Sequence, residues 1–417
     1  MSTAFSSSRP VAVIIGFVWP EPDSSAAGQN MMGIITGFLN DGWRVVFMTA
    51  ANASEHCADL DLDGLTTETV ALNCSSFDER IAAISPDVVV FDRFMTEEQF
   101  SARVRGACPD AMRILNTEDL HSLRHQRHEQ VKSGHKSDNL PGTFSDMTIR
   151  EVAAILRSDL TLIISEREMN WLQSNFPIPR EQLLHLPLLT TGCRTPLPDF
   201  HARSDFVFIG NFRHAPNWDA VLQLQQIWPA VRKRLPGINL NIYGAYPPKK
   251  AMALHNPARG FHVRGWAENA DETIASHRIM LAPVRFGAGV KGKLVKAMQC
   301  GTPSVTTTTG AEGIGTHETW PGMVTHTNED FVESAVTLYT DEKRWLKASE
   351  DGKRFAASHF DSVKHQRMLL GEVNARRERL HADRRQWFLQ AMVWHQSLRA
   401  SQFMSQWIEA KNKHHGQ

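Results

Sequence analysis

The chain repeatedly places short, continuously apolar runs between amphipathic ones. VAVIIGFVW (11–19), WRVVFMTA (43–50), PDVVVFDRF (86–94), AMRILNTED (111–119) and LTLIIS (160–165) are rich in β-branched residues. Between them lie helical patterns such as QNMMGIITGFLNDG (29–42), EEQFSARVRGAC and TIREVAAILRSD. A strand that is apolar at every position is buried on both faces, which requires a parallel sheet covered by helices on each side. The pattern then lapses in LLHLPLLTTGCRTPLPDFHARSD (183–205), which is rich in proline and has no period. It restarts with DFVFIG (205–210), INLNIYGA (238–245), FHVRGW, RIMLAPV (278–284) and TPSVTTT (302–308), and beyond about residue 330 it is wholly helical. The sequence therefore predicts an α/β chain of two doubly wound domains. We divide it into an N-terminal domain (1–188), a linker (189–204), a C-terminal domain (205–375) and a helical extension (376–417).

Bulk composition excludes several classes. Lys plus Arg equals Asp plus Glu, at 45 each, so the chain does not coat nucleic acid through a global positive charge. The five cysteines (Cys57, Cys74, Cys108, Cys193, Cys300) are odd in number, widely spaced and without a CxxC, which predicts no disulfide framework and a reducing compartment. No apolar run reaches the length of a membrane span. The start, MSTAFSSSRP, lacks the early charge of a secretory leader, so VAVIIGFVW is expected to be a strand and the protein cytoplasmic.

One stretch carries the chemistry. In RFGAGVKGKLVKAMQCGTPSV (285–305), a glycine-rich loop joins a strand to a helix that stops at Gly301. Gly287 and Gly289 let backbone N–H groups approach an anion, and the helix N-terminus adds favourable potential. Lys291 and Lys293 supply point charges and Arg285 a planar fork. The loop suits a phosphate or diphosphate without being a Walker A sequence. The plainer reading is a turn with solvated lysines.

FVFIGNFRHAPNWDAV, INLNIYGAYPP and LAPVRFGAGVKGKLVKAMQCGTPSVTTTTGAEGI, in that order, resemble the C-terminal domain of GT-B glycosyltransferases of the retaining, family 4 type. WPEPDSSAAGQNMMGIITGFLNDGWRVVFMT, RILNTEDLHSLRHQR and LIISEREMNWL are similar to N-terminal blocks of that family. The resemblance implies a GT-B fold: two Rossmann-like domains facing a cleft, here with a C-terminal helical extension. It implies a nucleotide-diphosphate sugar as donor on the C-terminal domain, with no cofactor and no metal required. The acceptor would be a hydroxyl of a glycan, lipid or protein, held mainly by the N-terminal domain. The family's basic pair falls closest to Lys293 and Arg285, with Gly210 and Arg213 in the GNFRH loop. Gly28 and Gln29 would face the diphosphate from the other side, Glu312 would reach the ribose or sugar, and Asp119 with His121 would sit at the reacting centre. Many members carry two glutamates separated by seven residues, and those positions here read Ala288 and Lys296. Lysine donates hydrogen bonds but accepts none, so Lys296 would sit near a phosphate or hydroxyl oxygen. The departure motivates a second reading: a non-catalytic nucleotide- or glycan-binding scaffold.

Other features are weighed on their residues. Asp119 in NTEDLHSLRHQRHEQ is placed to cap a helix. His121, His125 and His128 have zinc-compatible spacing but no carboxylate or cysteine partner, and the polar face is otherwise acceptor-facing or solvated. Asp92 and Arg93 end a strand on the side where such sheets bind ligands, or else form a bracing ion pair. DLDLDG (59–64) lacks the final glutamate of a calcium loop and reads as a loop. VKSGHKSDNLPGTFSD (131–146) is a lid or a plain surface loop. The 383–410 segment carries Trp387, Phe388, Met392, Trp394, Phe403 and Trp407 among basic residues. It packs in cis, joins copies of the chain, or lies on the inner face of a membrane.

Overall fold

The computed structural model describes residues 9–135, 144–193 and 196–415; the middle of the expected 131–146 lid lies outside them. Thirteen strands are formed among these residues: β1 Val11–Gly16, β2 Arg44–Thr49, β3 Leu65–Thr69, β4 Val88–Asp92, β5 Met112–Asn116, β6 Leu160–Ile163, β7 Leu183–His185, β8 Ser204–Ile209, β9 Leu240–Tyr243, β10 Phe261–Gly265, β11 His277–Ala282, β12 Ser304–Thr307 and β13 Gly322–Thr325. They form two separate parallel sheets, ordered β3-β2-β1-β4-β5-β6-β7 and β10-β9-β8-β11-β12-β13. In each sheet the order reverses beside the first strand of that half, and the crevice at such a switch point is where open α/β sheets bind ligands.

The continuous apolar runs account for this arrangement. Every residue of β4 and β5 is buried. Alternate side chains of β1 enter two different cores: Val13 and Ile15 pack with Phe91 and Leu115, while Ala12 and Ile14 pack with Ile34 and Phe38 on the opposite face. The sequence did not reveal β3, β7 or β13. Each is short and lies at or near a sheet edge, and β3 shows only Leu65 buried, so none carries the continuous apolar signature.

The last helices depart from expectation. The helix Ser362–Gln386 runs unbroken through residue 376. It crosses back to the N-terminal half, where Leu369, Leu370 and Val373 join the core of Ile34 and Phe38. Gln366 Nε2 donates to the Gly33 carbonyl at 2.7 Å. Trp387 ends this helix and a second one, Phe388–His415, follows, so 383–410 is not one continuous helix. Trp394 packs in cis: it is buried, lies under the guanidinium groups of Arg105 and Arg113, and donates to the Arg157 carbonyl. Phe388, Met392, Phe403, Met404 and Trp407 remain exposed. No helix among the described residues is long and apolar enough to cross a membrane.

Candidate active site

A cavity of about 540 Å³ lies between the two sheets. From the N-terminal half it is lined by the start of the helix Ala26–Asn40, by Arg93 after β4, and by the segment from Glu118 to His128 after β5. From the C-terminal half come the loop after β8 (Gly210 to Asn217) and the loop after β11, which opens the helix Gly292–Gln299. The first N–H groups of a helix have no partner further along the helix; in the first helix Ser25 Oγ caps Gly28 N, whereas Lys291 at the start of the second makes no side-chain cap.

Lys293 lines this cavity. Its ammonium donates to Asn217 Oδ1 and lies 4.2 Å from the centre of the Phe208 ring. It forms no ion pair with a carboxylate among the described residues, and burial pulls its pKa down to about 7. A half-buried cation with only neutral partners is partly desolvated without compensation until an anion arrives to share the space. Gly210 makes the room. A Cβ there would lie 2.7 Å from both Lys293 Nζ and Asn217 Cγ. Gly210→Ala should therefore displace the ammonium and lower turnover roughly 100-fold, as an ångström-scale misplacement can. A kinetic comparison with wild type checks this against an unchanged circular dichroism spectrum.

Beside it, Lys291 donates to the Gly289 carbonyl at 3.1 Å, and burial lowers its pKa. Arg213 lies 3.4 Å over the Tyr246 ring, and the Tyr246 hydroxyl donates to Glu21 of the N-terminal half at 2.9 Å. Gly289 adopts φ +61°, and a Cβ there would sit 2.8 Å from Asp119 Cβ. The glycine is thus needed both for the turn and for the close approach of the two halves.

The opposite wall is a polar cluster around Asp119. Arg124 Nη1 donates to both Asp119 oxygens at 2.7 and 2.5 Å, and His121 Nε2 lies 3.4 Å from the carboxylate. Burial favours the neutral acid, but Arg124 and His121 outweigh it and hold the Asp119 pKa below its usual value. Burial pushes His121 and His214 down to about 4, so both rings are neutral at pH 7. Glu118 behaves oppositely. It accepts from Asn116 at 2.8 Å and Asn30 at 3.2 Å, yet burial, with Asp92 nearby, raises its pKa to about 8. At neutral pH Asp119 is thus a charged carboxylate while its sequence neighbour is protonated.

The structure places several expected residues differently. Asp119 is not the helix cap: Leu120 holds that position, and Glu151 from a neighbouring helix accepts from the His121 and Ser122 N–H groups. Arg285 does not pair with Lys293. It lies outside the cavity lining, half-exposed, in a two-bonded ion pair with Asp219. Gly28 lies in the first turn of its helix, capped by Ser25 and close against the Glu21 backbone, and only Gln29 of that pair lines the cavity. Glu312 is not at the cavity surface. Its oxygens accept from Arg127 at 2.9 and 3.0 Å and lie 3.1 Å from Arg167 Nε.

Lys296 lines the cavity floor, but its ammonium is turned away, 2.7 Å from Asp271 and donating to the Thr191 carbonyl at 3.1 Å. It pins its helix to the interdomain linker. Ala288, at the other departing position, is buried in the core of the N-terminal half. Asp92 accepts from the Phe17 N–H, and Arg93 Nε lies 3.9 Å from Asp92, a loose bracing pair. His128 stacks on Phe286 with ring centres 4.5 Å apart. Among the described residues the histidines form no metal-ligand cluster.

Sequence reasoning missed Asn217, His214 and Arg127. Asn217 and His214 lie in the GNFRHAPNW stretch, whose place directly after β8 was the available signal. Arg127 left no signal: it looks like one more charge on a polar helix, yet it is fully buried and also donates to the Gly287 carbonyl at 2.8 Å. Glu168 was missed as well. One of its oxygens accepts from Leu120 N and Gly289 N, at 3.1 and 2.7 Å, joining the two halves.

Residues 203–341 match the family described as glycosyl transferases group 1. The whole architecture is the GT-B fold. Sucrose-phosphate synthase from Thermosynechococcus elongatus superposes with a TM-score of 0.67 at 13% identity, covering 88% of this chain and 99% of that one. HepE from Anabaena, solved with UDP and glucose, gives 0.62 at 12% identity, covering 88% and 100%. WaaG, described as a glycosyltransferase of lipopolysaccharide biosynthesis, gives 0.62 at 12%, covering 86% and 99%. No curated protein matches the chain in sequence. In the GT-B frame, the cavity described above is the cleft between the two domains.

Proposed function

We propose that this chain transfers a sugar from a nucleotide-diphosphate sugar to an acceptor hydroxyl, with retention at the anomeric carbon and without a metal. The observation that carries the reading is Lys293, a half-buried, cleft-lining ammonium whose hydrogen-bond partner is a neutral amide. The donor diphosphate lies against Lys293, Lys291, Arg213 and the start of the helix Gly292–Gln299, with Gln29 opposite. Charge developing on the leaving phosphate is met by fixed cations and helix N–H groups, the role a metal fills elsewhere. The acceptor hydroxyl lies on the Asp119 and His121 side, where a charged carboxylate orients it. A departing phosphate oxygen then takes its proton. The family domain match over 203–341 supports this reading, as does the UDP and glucose complex of the similarly folded HepE. Lys296 is already paired with Asp271, so it adds no uncompensated charge at the donor position.

The test is a thermal-shift panel of UDP-, GDP-, ADP- and dTDP-sugars, followed by NMR of the product from any donor that is turned over. Ligand at 100 times its dissociation constant adds about 2.7 kcal/mol of stability. One donor should shift the midpoint and give product of unchanged anomeric configuration. An inverted product would overturn retention, and a shift without turnover when acceptors are supplied would favour the scaffold reading.

A pH dependence follows. The empty cleft holds Lys293 at about pKa 7, whereas a bound diphosphate stabilises the ammonium and raises it. Donor binding above pH 7 should therefore take up a proton, and affinity should fall by about tenfold per pH unit. Calorimetry in two buffers of different ionisation enthalpy measures the uptake directly. Binding with no proton uptake at pH 8 would remove Lys293 from contact with the donor.

A further inference from the structure

Cys193 and Cys300 are 107 positions apart, yet their sulfurs lie 3.0 Å from each other. Cys193 belongs to the interdomain linker and is half-buried; Cys300 ends the helix that begins at the donor loop and is fully buried. The two segments are already clipped together beside the pair. Lys296 Nζ donates to the Thr191 carbonyl at 3.1 Å, and Gln299 Nε2 donates to Thr190 Oγ1 at 2.8 Å. Asp271 completes a three-ligand cluster with the two sulfurs. The Lys296 ammonium, 2.7 Å from Asp271, already supplies the positive charge that a metal would bring there. That favours a redox role for the thiols over a metal-binding one.

We propose that Cys193 and Cys300 are a reversible oxidation site, closed to a disulfide by a peroxide or a small disulfide oxidant, which fastens the linker to the helix carrying Lys293 and Lys296. Cys193, the more accessible sulfur, reacts first. Its thiolate attacks one peroxide oxygen, the O–O bond breaks, and a sulfenic acid forms with hydroxide leaving. The Cys300 sulfur then attacks the Cys193 sulfur, the S–O bond breaks, and the Cys300 proton leaves with the hydroxyl as water. In sum, two thiols and one peroxide give one disulfide and two waters. Cys300 is placed for the resolving role because its sulfur already lies 3.0 Å from that of Cys193, and it gives up its proton as it attacks. In a reducing compartment the pair rests as thiols, so the bond is conditional.

The chemistry of this site does not depend on the transferase reading, and its test requires no donor. Reduced full-length protein is treated with hydrogen peroxide, alkylated and mapped by mass spectrometry, alongside C193S and C300S. The expected result is a peptide linking Cys193 to Cys300 with loss of two hydrogens. It should be absent from both variants and reversed by dithiothreitol. The thermal midpoint should rise by several degrees on oxidation in wild type only. C193S, at the half-buried position, keeps the comparison valid if C300S folds poorly. Failure to find the linked peptide when Cys57 or Cys74 is already oxidised would overturn the proposal, as would an unmoved midpoint in the linked protein.

Discussion

Replacing Lys293 by methionine should lower turnover by about 100-fold or more, comparable to losing one oxyanion donor, while leaving the fold at least as stable. The two halves of this expectation have one cause. The side chain is half-buried, its hydrogen-bond partner is the neutral Asn217, and the Phe208 ring faces it. Without an anion its desolvation is only partly offset, so methionine of similar length relieves a strain in the empty protein. With the donor present, the same charge stabilises the leaving diphosphate. A residue that serves only packing would lose stability and spare turnover. Paired thermal melts and donor kinetics separate the two cases, and near-normal turnover would remove Lys293 from the site.

Arg127→Met should be the most destabilising single change in the cleft, costing about 3 kcal/mol. Arg127 is fully buried and makes bonds to both Glu312 oxygens and to the Gly287 carbonyl. These partners lie across the cleft, 160 and 185 positions away in the chain. Removing the guanidinium strands a buried carboxylate and a buried carbonyl together. The cost falls at the lower end for a broken buried pair because Arg167 still faces Glu312. Since the bond joins the two halves, a urea titration should split into two transitions where wild type shows one. Donor KM should rise because the Gly287 loop loses its anchor. An unchanged urea profile would show that Arg127 does not hold the cleft together.

The fold was legible because burial on both faces of a parallel sheet forces continuous apolar strands. Val88–Asp92 and Met112–Asn116 could hardly have been anything else. The short edge strand Leu65–Thr69 was not legible, because its exposed positions carry threonine and glutamate. The strand-to-helix junction carrying Gly287, Gly289, Lys291 and Lys293 was readable, since loop glycines followed by an apolar helical pattern mark such a turn by local chemistry alone. What sequence could not supply was pairing at a distance. Arg285 looked like a phosphate ligand until Asp219, 66 positions away, was seen to hold it. Lys296 looked like a defect in the donor site until Asp271 and the Thr191 carbonyl accounted for its charge. Glu312 fits a ribose contact by position, but two arginines of the other half hold its carboxylate. The five cysteines looked unrelated until the chain brought Cys193 and Cys300 together.

The most direct test of the central claim is nucleoside diphosphate release, measured for wild type and Lys293→Met in parallel across UDP-, GDP-, ADP- and dTDP-sugars with an acceptor supplied. Release by wild type from one donor class, reduced about 100-fold or more in a variant that melts no lower, is the predicted result. Release at equal rates in both proteins, or from no donor that binds, would contradict the account of this cleft as a glycosyl-transfer site built around Lys293.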